Sequence, residues 1–431
     1  MRESECVVLT PGRLEPPQSM VPGSFPVARR ALAWLNRNAM NRVSSTETLG
    51  ARNAPPARRR DSKARRFIEQ VLESADVRLD GKRPWDIRLL DPSVPDRVLS
   101  QGTLGLGEAY MDGHWSCERI DELFDRVLRA DIARRFTTRA AFWHVLRARL
   151  VNLQTPSRAW QVGRTHYDIG NDFYAAMLDA RMTYTCGFWQ HAATLDEAQE
   201  HKLDLVCRKL ALQPGMRVLD IGCGWGSFMR FAAERYGVQC VGVTISAEQA
   251  ALGRQRCAGL PVEFRLADYR TLDEPFDRIV SLGMFEHVGQ KNYDAYMQVV
   301  RRCLHPWGLA LLHTIGRNEE GHGTDPWIHR YIFPNGELPT IAQIGCACER
   351  RFVVEDLHSF GADYDRTLMA WHANFTAAWP RFEERLGSRF ERMWRYYLLC
   401  CAGAFRARDI QVWQWVLSMP GRPGVYPRLA G

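Results

Sequence analysis

The stretch Val218-Leu219-Asp220-Ile221-Gly222-Cys223-Gly224-Trp225-Gly226-Ser227 constrains the chain more than any other. Apolar residues around one acid read as a buried parallel strand, and glycines at alternate positions follow at once. Such glycines let a backbone turn sharply from strand to helix and approach a ligand too closely for any Cβ. A glycine-rich turn serves dinucleotides and other nucleotide-like ligands alike, so by itself it names no reaction.

Strands and helices alternate from there on. Val241–Thr244, Val262–Leu266, Phe276–Ser281 and Leu309–His313 read as further strands, and Leu195–Leu212 as a long helix leading into the glycine turn. The alternation predicts an α/β fold with a doubly wound, parallel sheet. Ligands of such sheets bind beyond the carboxyl ends of the strands. That rule nominates Gly222–Gly226, Thr244, Asp268, Gly283–His287 and His313–Gly316 for one cleft.

A nucleotide site of this kind usually grips ribose with an acid at the end of the second strand. Thr244 stands there instead, and its hydroxyl with the Gln249 amide can take over the sugar contacts. Asp268, before Tyr269 and Arg270, is placed to accept from an adenine amino group. With no second-strand acid and no separate nicotinamide domain, hydride transfer is disfavoured.

Length and charge organise the remainder. A chain of 431 residues has room for two or three domains, and 46% apolar residues support a large core. No run approaches the ~20 apolar residues of a membrane-spanning helix, and no secretory leader is evident. The 12 cysteines are scattered without paired CxxC spacing, which predicts free thiols in a reducing cytoplasm and no metal site. Residues 1–66 hold 13 Lys or Arg against 5 Asp or Glu; the rest hold 44 against 44. Attraction to an anionic surface therefore belongs to the N-terminal arm, and nucleic acid is a weaker partner than membrane.

The expected domains are a basic, largely unstructured arm over 1–61, a small region over 62–152, a linker over 153–164 and a sheet domain over 165–431. Within the arm, residues 27–43 can form a basic amphipathic helix. Within the small region, Trp85–Leu89 reads as a strand, the glycine-rich stretch 102–115 as turns mixed with apolar residues, and 120–130 and 140–152 as helices. Residues 317–340 lack periodicity yet carry Trp327, Tyr331 and Phe333, which suggests a functional cover loop.

Several motifs taken together resemble one family. His166-Tyr167-Asp168, Tyr184-Thr185-Cys186, the glycine turn, Gly242–Gln249, Gly283–Gly289, His313–Gly316, Tyr331–Gly336, Gly361–Asp365 and Cys401–Gln411 resemble the cyclopropane-fatty-acyl-phospholipid synthases. The resemblance covers about residues 62–418, and the Thr244 departure belongs to the family too. It implies a class I S-adenosylmethionine (SAM) methyltransferase fold with a smaller N-terminal, lipid-associated domain. It also implies methylene transfer to a cis double bond of an unsaturated phospholipid chain.

In the family a bicarbonate ion is the base that closes the ring. Its matching positions are Cys186, Glu286, His313 and Tyr364, with the Ile315 backbone; Cys401 lies near the site with no step assigned. For SAM, the matching residues are Tyr184 and Thr185 at the methionine end and Asp220, Gly222, Gly224 and Gly226 in the glycine turn. Thr244, Ile245 and Gln249 match the middle of the ligand, with Asp268, Tyr269 and Arg270 beside adenine. The resemblance further implies a homodimer, peripheral at the inner face of the membrane. Three alternatives stand beside this reading: methyl-branching instead of ring closure, an amine N-methyltransferase, and a lipid-binding module without catalysis.

Overall fold

The computed structural model describes residues 62–131, 169–320 and 323–427. The arm with its 27–43 helix, the 140–152 helix, the 153–164 linker and the His166–Asp168 motif lie outside the described residues.

The N-terminal part opens with helix α1 (Lys63–Glu73), capped by Ser62, whose hydroxyl accepts from the Arg65 amide at 3.1 Å. Strand β1 is only Arg88–Leu89, shorter than the expected Trp85–Leu89. Trp85 is held in the preceding turn instead: its indole N–H donates to the Asp76 carbonyl and the Arg126 guanidinium lies 3.9 Å from its ring centre. Helix α2 (Val94–Gln101) then leads into α3 (Thr103–Met111). The glycine-rich stretch is thus largely helical rather than turns, because its glycines serve packing. A Cβ on Gly107 would lie 2.4 Å from the Trp327 ring. Strand β2 (Trp115–Ser116) pairs antiparallel with β1, and helix α4 (Ile120–Arg129) follows.

The large sheet is preceded by α5 (Asn171–Met177) and α6 (Leu195–Lys209), the latter opened by a Thr194/Glu197 capping box. Then come β3 (Arg217–Ile221), α7 (Ser227–Tyr236), β4 (Gln239–Thr244), α8 (Ala247–Arg256), β5 (Val262–Leu266) and β6 (Phe276–Leu282). Helix α9 (Tyr293–Cys303) precedes β7 (Leu304–Arg317). The expected strand Leu309–His313 is therefore the middle of a longer one.

Residues 317–340 are not wholly irregular, since they hold the short helix α10 (Pro326–Tyr331) with Asp325 as its cap. The chain ends with α11 (Ile341–Cys348), β8 (Val353–Ser359), α12 (Ala362–Ala378), α13 (Glu383–Arg406) and β9 (Ile410–Ser418). Strand order is β5-β4-β3-β6-β7-β9-β8; β3 to β7 are parallel, and β9 is antiparallel to both neighbours.

One apolar core joins α1 to α4 with α5, α12 and α13. A half-buried ion network borders it. Arg406 of α13 donates to Asp121 of α4 at 2.8 Å and grips Asp365 of α12 through two bonds of 2.9 Å. Asp121 is only 1% exposed, so its charge is met inside the protein. Among the described residues no helix is long and apolar enough to cross a membrane.

Candidate active site

The glycine turn leaves β3 as the sequence predicts. Gly222 has φ 87°, and a Cβ there would strike the Met284 side chain at 2.6 Å. Gly224 has φ 53° with open space where its Cβ would be, so a ligand can approach its backbone. Gly226 is the N-cap of α7.

A cavity of about 830 Å³ begins at this turn. Asp220, Gly222, Gly224, Gln249, Tyr184 and Thr185 line one end of it. Glu286, Ile315, Tyr364 and Cys401 line its middle wall. The far end is apolar and is formed by Ile68, Val71 and Leu72 of α1, Val98 of α2, Leu104 of α3 and Leu123 of α4. Trp327, Ile328 and Phe333 of the 317–340 segment also face it.

Glu286 sits in a short 3-10 turn after β6 and is buried. Its Oε1 accepts from the Ile315 amide at 2.6 Å, whereas Oε2 is buried with no hydrogen-bond partner among the described residues. Burial pushes the carboxyl up to about 7, against the pull of the Ile315 N–H. Tyr364, on α12, is buried against Phe405 with ring centres 4.6 Å apart. Burial raises its hydroxyl above the ordinary tyrosine range, and Cys186, Tyr184, Glu286 and Cys401 are the neighbours whose charge would add to that effect.

Cys186 and His313 stand behind the wall rather than on it. The Cys186 thiol donates to the Gly187 carbonyl at 3.2 Å, and burial raises it well above the usual thiol range. His313, on β7, pairs through Nδ1 with the Gln414 amide at 3.3 Å, and burial holds it well below the usual histidine range. Both are therefore neutral near pH 7.

At the positions expected on the sugar side, Thr244 donates to Gln249 Oε1 at 3.1 Å and accepts from the Ser246 amide at 3.1 Å. Its hydroxyl thus orients Gln249, which faces the cavity while Thr244 does not. Ile245 is half-buried beside them. Asp268, Tyr269 and Arg270 lie at the end of β5, outside the wall of this cavity. Asp268 accepts from the Arg270 amide at 3.0 Å and its carboxylate lies 3.5 Å from the Arg270 guanidinium.

Several functional candidates escape a reading of the sequence. Tyr397 of α13 shares a 3.1 Å hydroxyl–hydroxyl contact with Tyr184, whose ring centre is 5.1 Å from that of Trp371. Lys202 and Gln199 on α6 are completely buried and bond to Thr185. Their signal was present: both fall on the apolar stripe of α6, at helical spacing from Ala198 and Val206.

The sheet and the glycine turn define a class I SAM-dependent methyltransferase. The family described as Mycolic acid cyclopropane synthetase matches residues 154–415, and the chain belongs to it. The Escherichia coli (strain K12) cyclopropane-fatty-acyl-phospholipid synthase is 54% identical over 356 residues, covering 82% of this chain and 93% of that protein. Among solved structures, the cyclopropane synthase MmaA2 from Mycobacterium tuberculosis is 34% identical, with a TM-score of 0.57 over 60% of this chain and 97% of its own. Mycolic acid cyclopropane synthase CmaA1, crystallised with SAH and CTAB, is 35% identical, with a TM-score of 0.56 over 60% of this chain and 97% of its own. The chain is thus an enzyme of the SAM-dependent cyclopropane synthase family.

Proposed function

We propose that this enzyme adds a methylene group from SAM across a cis double bond in the acyl chain of an unsaturated phospholipid. The observation that carries this reading is that one cavity is lined by Gly224, by Glu286 and Tyr364, and by apolar residues of helices α1 to α4. A soluble amine needs no such apolar extension, whereas an acyl chain needs a path past the reacting atoms.

The residues fit both small molecules that the reaction requires. Gly224 leaves room for close approach of SAM, with Gln249 on its sugar side and Tyr184 and Thr185 at its methionine end. Bound SAM supplies an electrophilic methyl group. An isolated alkene is a weak nucleophile, so the apolar walls serve to hold it in line and to exclude water.

Addition of a methyl cation to the alkene leaves positive charge on the chain. The rings of Tyr184, Tyr364, Phe405 and Trp371 surround this part of the site, and aromatic faces favour a cation. Loss of one proton from the new methyl group then lets its electron pair close the three-membered ring. Glu286 Oε2, buried and without a hydrogen-bond partner among the described residues, fits a bicarbonate ion as the proton acceptor, with the Ile315 N–H fixing the other oxygen of the carboxylate. Cys186 and His313, neutral and enclosed, back that position. A methyl-branched product would instead require loss of a proton from the chain itself or gain of a hydride, so a base that takes the proton from the new methyl group favours ring closure.

Substrate reaches the cavity from a membrane surface to which the enzyme binds peripherally. The basic surplus before residue 67 supplies the attraction to anionic lipid. The test is incubation of the purified chain with SAM and vesicles of a defined monounsaturated phospholipid, followed by fatty-acid analysis. A product heavier by one CH2 and resistant to hydrogenation under alkene conditions is expected; unchanged lipid would refute the proposal.

A further inference from the structure

Lysine is almost never fully buried unless its charge is met, yet Lys202 is 0% exposed in the middle of α6. Its ammonium donates to Thr185 Oγ1 at 2.8 Å. One turn earlier, Gln199, also 0% exposed, donates to the Thr185 carbonyl at 2.7 Å. Two buried polar side chains of one helix thus end on a single threonine.

The groups that face this ammonium come from three directions. Asp179 and Cys186 belong to the segment between α5 and α6, Asp220 to β3 and His313 to β7. Asp179 is already engaged, taking the Thr183 amide at 2.7 Å and the Arg181 amide at 3.0 Å. Cys186 and His313 are neutral. Asp220 is 3% exposed, and no hydrogen-bond partner for its carboxylate occurs among the described residues.

A hydroxyl that accepts from an ammonium turns its own proton away from it. Thr185 is therefore set as a donor, backed by a positive charge. Lys202, Thr185 and Asp220 all line the glycine-turn end of the cavity. One side of that end offers cation-backed donors and the other a carboxylate without a partner. A zwitterionic amino-acid group matches this pair, carboxylate toward Thr185 and ammonium toward Asp220.

We propose that Lys202 is a positioning residue for the amino-acid end of the methyl donor, acting through the Thr185 hydroxyl it orients. The proposal rests on the assignment of this end of the cavity to SAM. Burial draws Lys202 down to about 8, opposed by Asp179, so raising the pH through about 8 discharges the ammonium and weakens the donor's hold.

Calorimetric titration of the full chain with S-adenosylhomocysteine and with 5′-methylthioadenosine, which lacks the amino-acid end, tests the proposal. Lys202→Met is expected to weaken S-adenosylhomocysteine about tenfold or more while methylthioadenosine binds as before; Lys202→Arg restores part of the loss. The excess pH dependence of wild type over the Met variant, between pH 7 and 9, is the second expected signature. Equal losses for both ligands, or none for either, would overturn the role of Lys202. Should Lys202→Met fail to fold, Thr185→Val carries the same comparison, with a selective loss supporting the proposal and a parallel one overturning it. A wild-type chain that binds neither ligand overturns the SAM assignment, and the role of Lys202 with it.

Discussion

The Ile315 backbone N–H donates to Glu286 Oε1 at 2.6 Å, which leaves Glu286 Oε2 enclosed and without a hydrogen-bond partner among the described residues. Strand β7 runs past the end of β6, and this extra length is what brings the Ile315 amide to the turn that carries Glu286. In the reading proposed above, a buried carboxylate fixed at one oxygen and unpaired at the other among the described residues holds a further polar group.

Glu286→Gln keeps the shape and one acceptor but removes the charge. Catalytic efficiency should fall by about 10²-fold or more, with S-adenosylhomocysteine affinity little changed. Stability should move the other way. The carboxyl of Glu286 is raised from an ordinary 4.5 to about 7, so the native state disfavours the charged form and loses stability as pH rises across that window. The glutamine variant should therefore be more stable than wild type at pH 8, by about 2–3 kcal/mol, and the gap should close near pH 4. Urea unfolding at the two pH values measures this.

Gly224→Ala separates folding from binding. A left-handed alanine costs about 1–2 kcal/mol, and the space around the new Cβ is open, so the chain should still fold. The methyl group occupies the space through which a ligand approaches the backbone. S-adenosylhomocysteine affinity should fall at least tenfold by calorimetry, while the melting temperature drops only a few degrees.

Val98→Trp places a large ring in the far end of the cavity, among residues of α1 to α4. Overpacking should cost about 1–3 kcal/mol. Activity on long acyl chains should fall sharply, activity on shorter ones should fall less, and S-adenosylhomocysteine binding should remain. Equal losses for all chain lengths would place the acyl path elsewhere.

The parallel sheet was legible because its strands are short apolar runs separated by amphipathic helices, and Thr244 marks a strand end as expected. Strands β8 and β9 were not. The segment Gln411–Gln414 mixes buried glutamines with tryptophan and valine, because Gln414 meets His313 inside the sheet, and a polar residue in a core strand hides its period.

Helix α3 is hidden in the sequence for a related reason. Its glycines are placed for close approach to Trp327 and to the Arg97 carbonyl, contacts more than two hundred residues away in the first case and within the same region in the second. Local propensity reports such glycines only as breakers. The candidate site was legible through spacing around known motifs, whereas the one sequence signal for Lys202 is its place on the apolar stripe of α6, where a lysine at helical spacing stands out only when that face is followed residue by residue.

The most direct test of the account follows the donor's methyl group into the product. The enzyme is supplied with SAM bearing a fully deuterated methyl group and with vesicles of a monounsaturated phospholipid, and the released fatty acid is analysed by mass spectrometry. Ring closure by loss of one deuteron predicts a saturated three-membered ring that retains two of the three deuterons. A chain that retains all three, as a methyl branch or a hydroxylated product, would contradict the account.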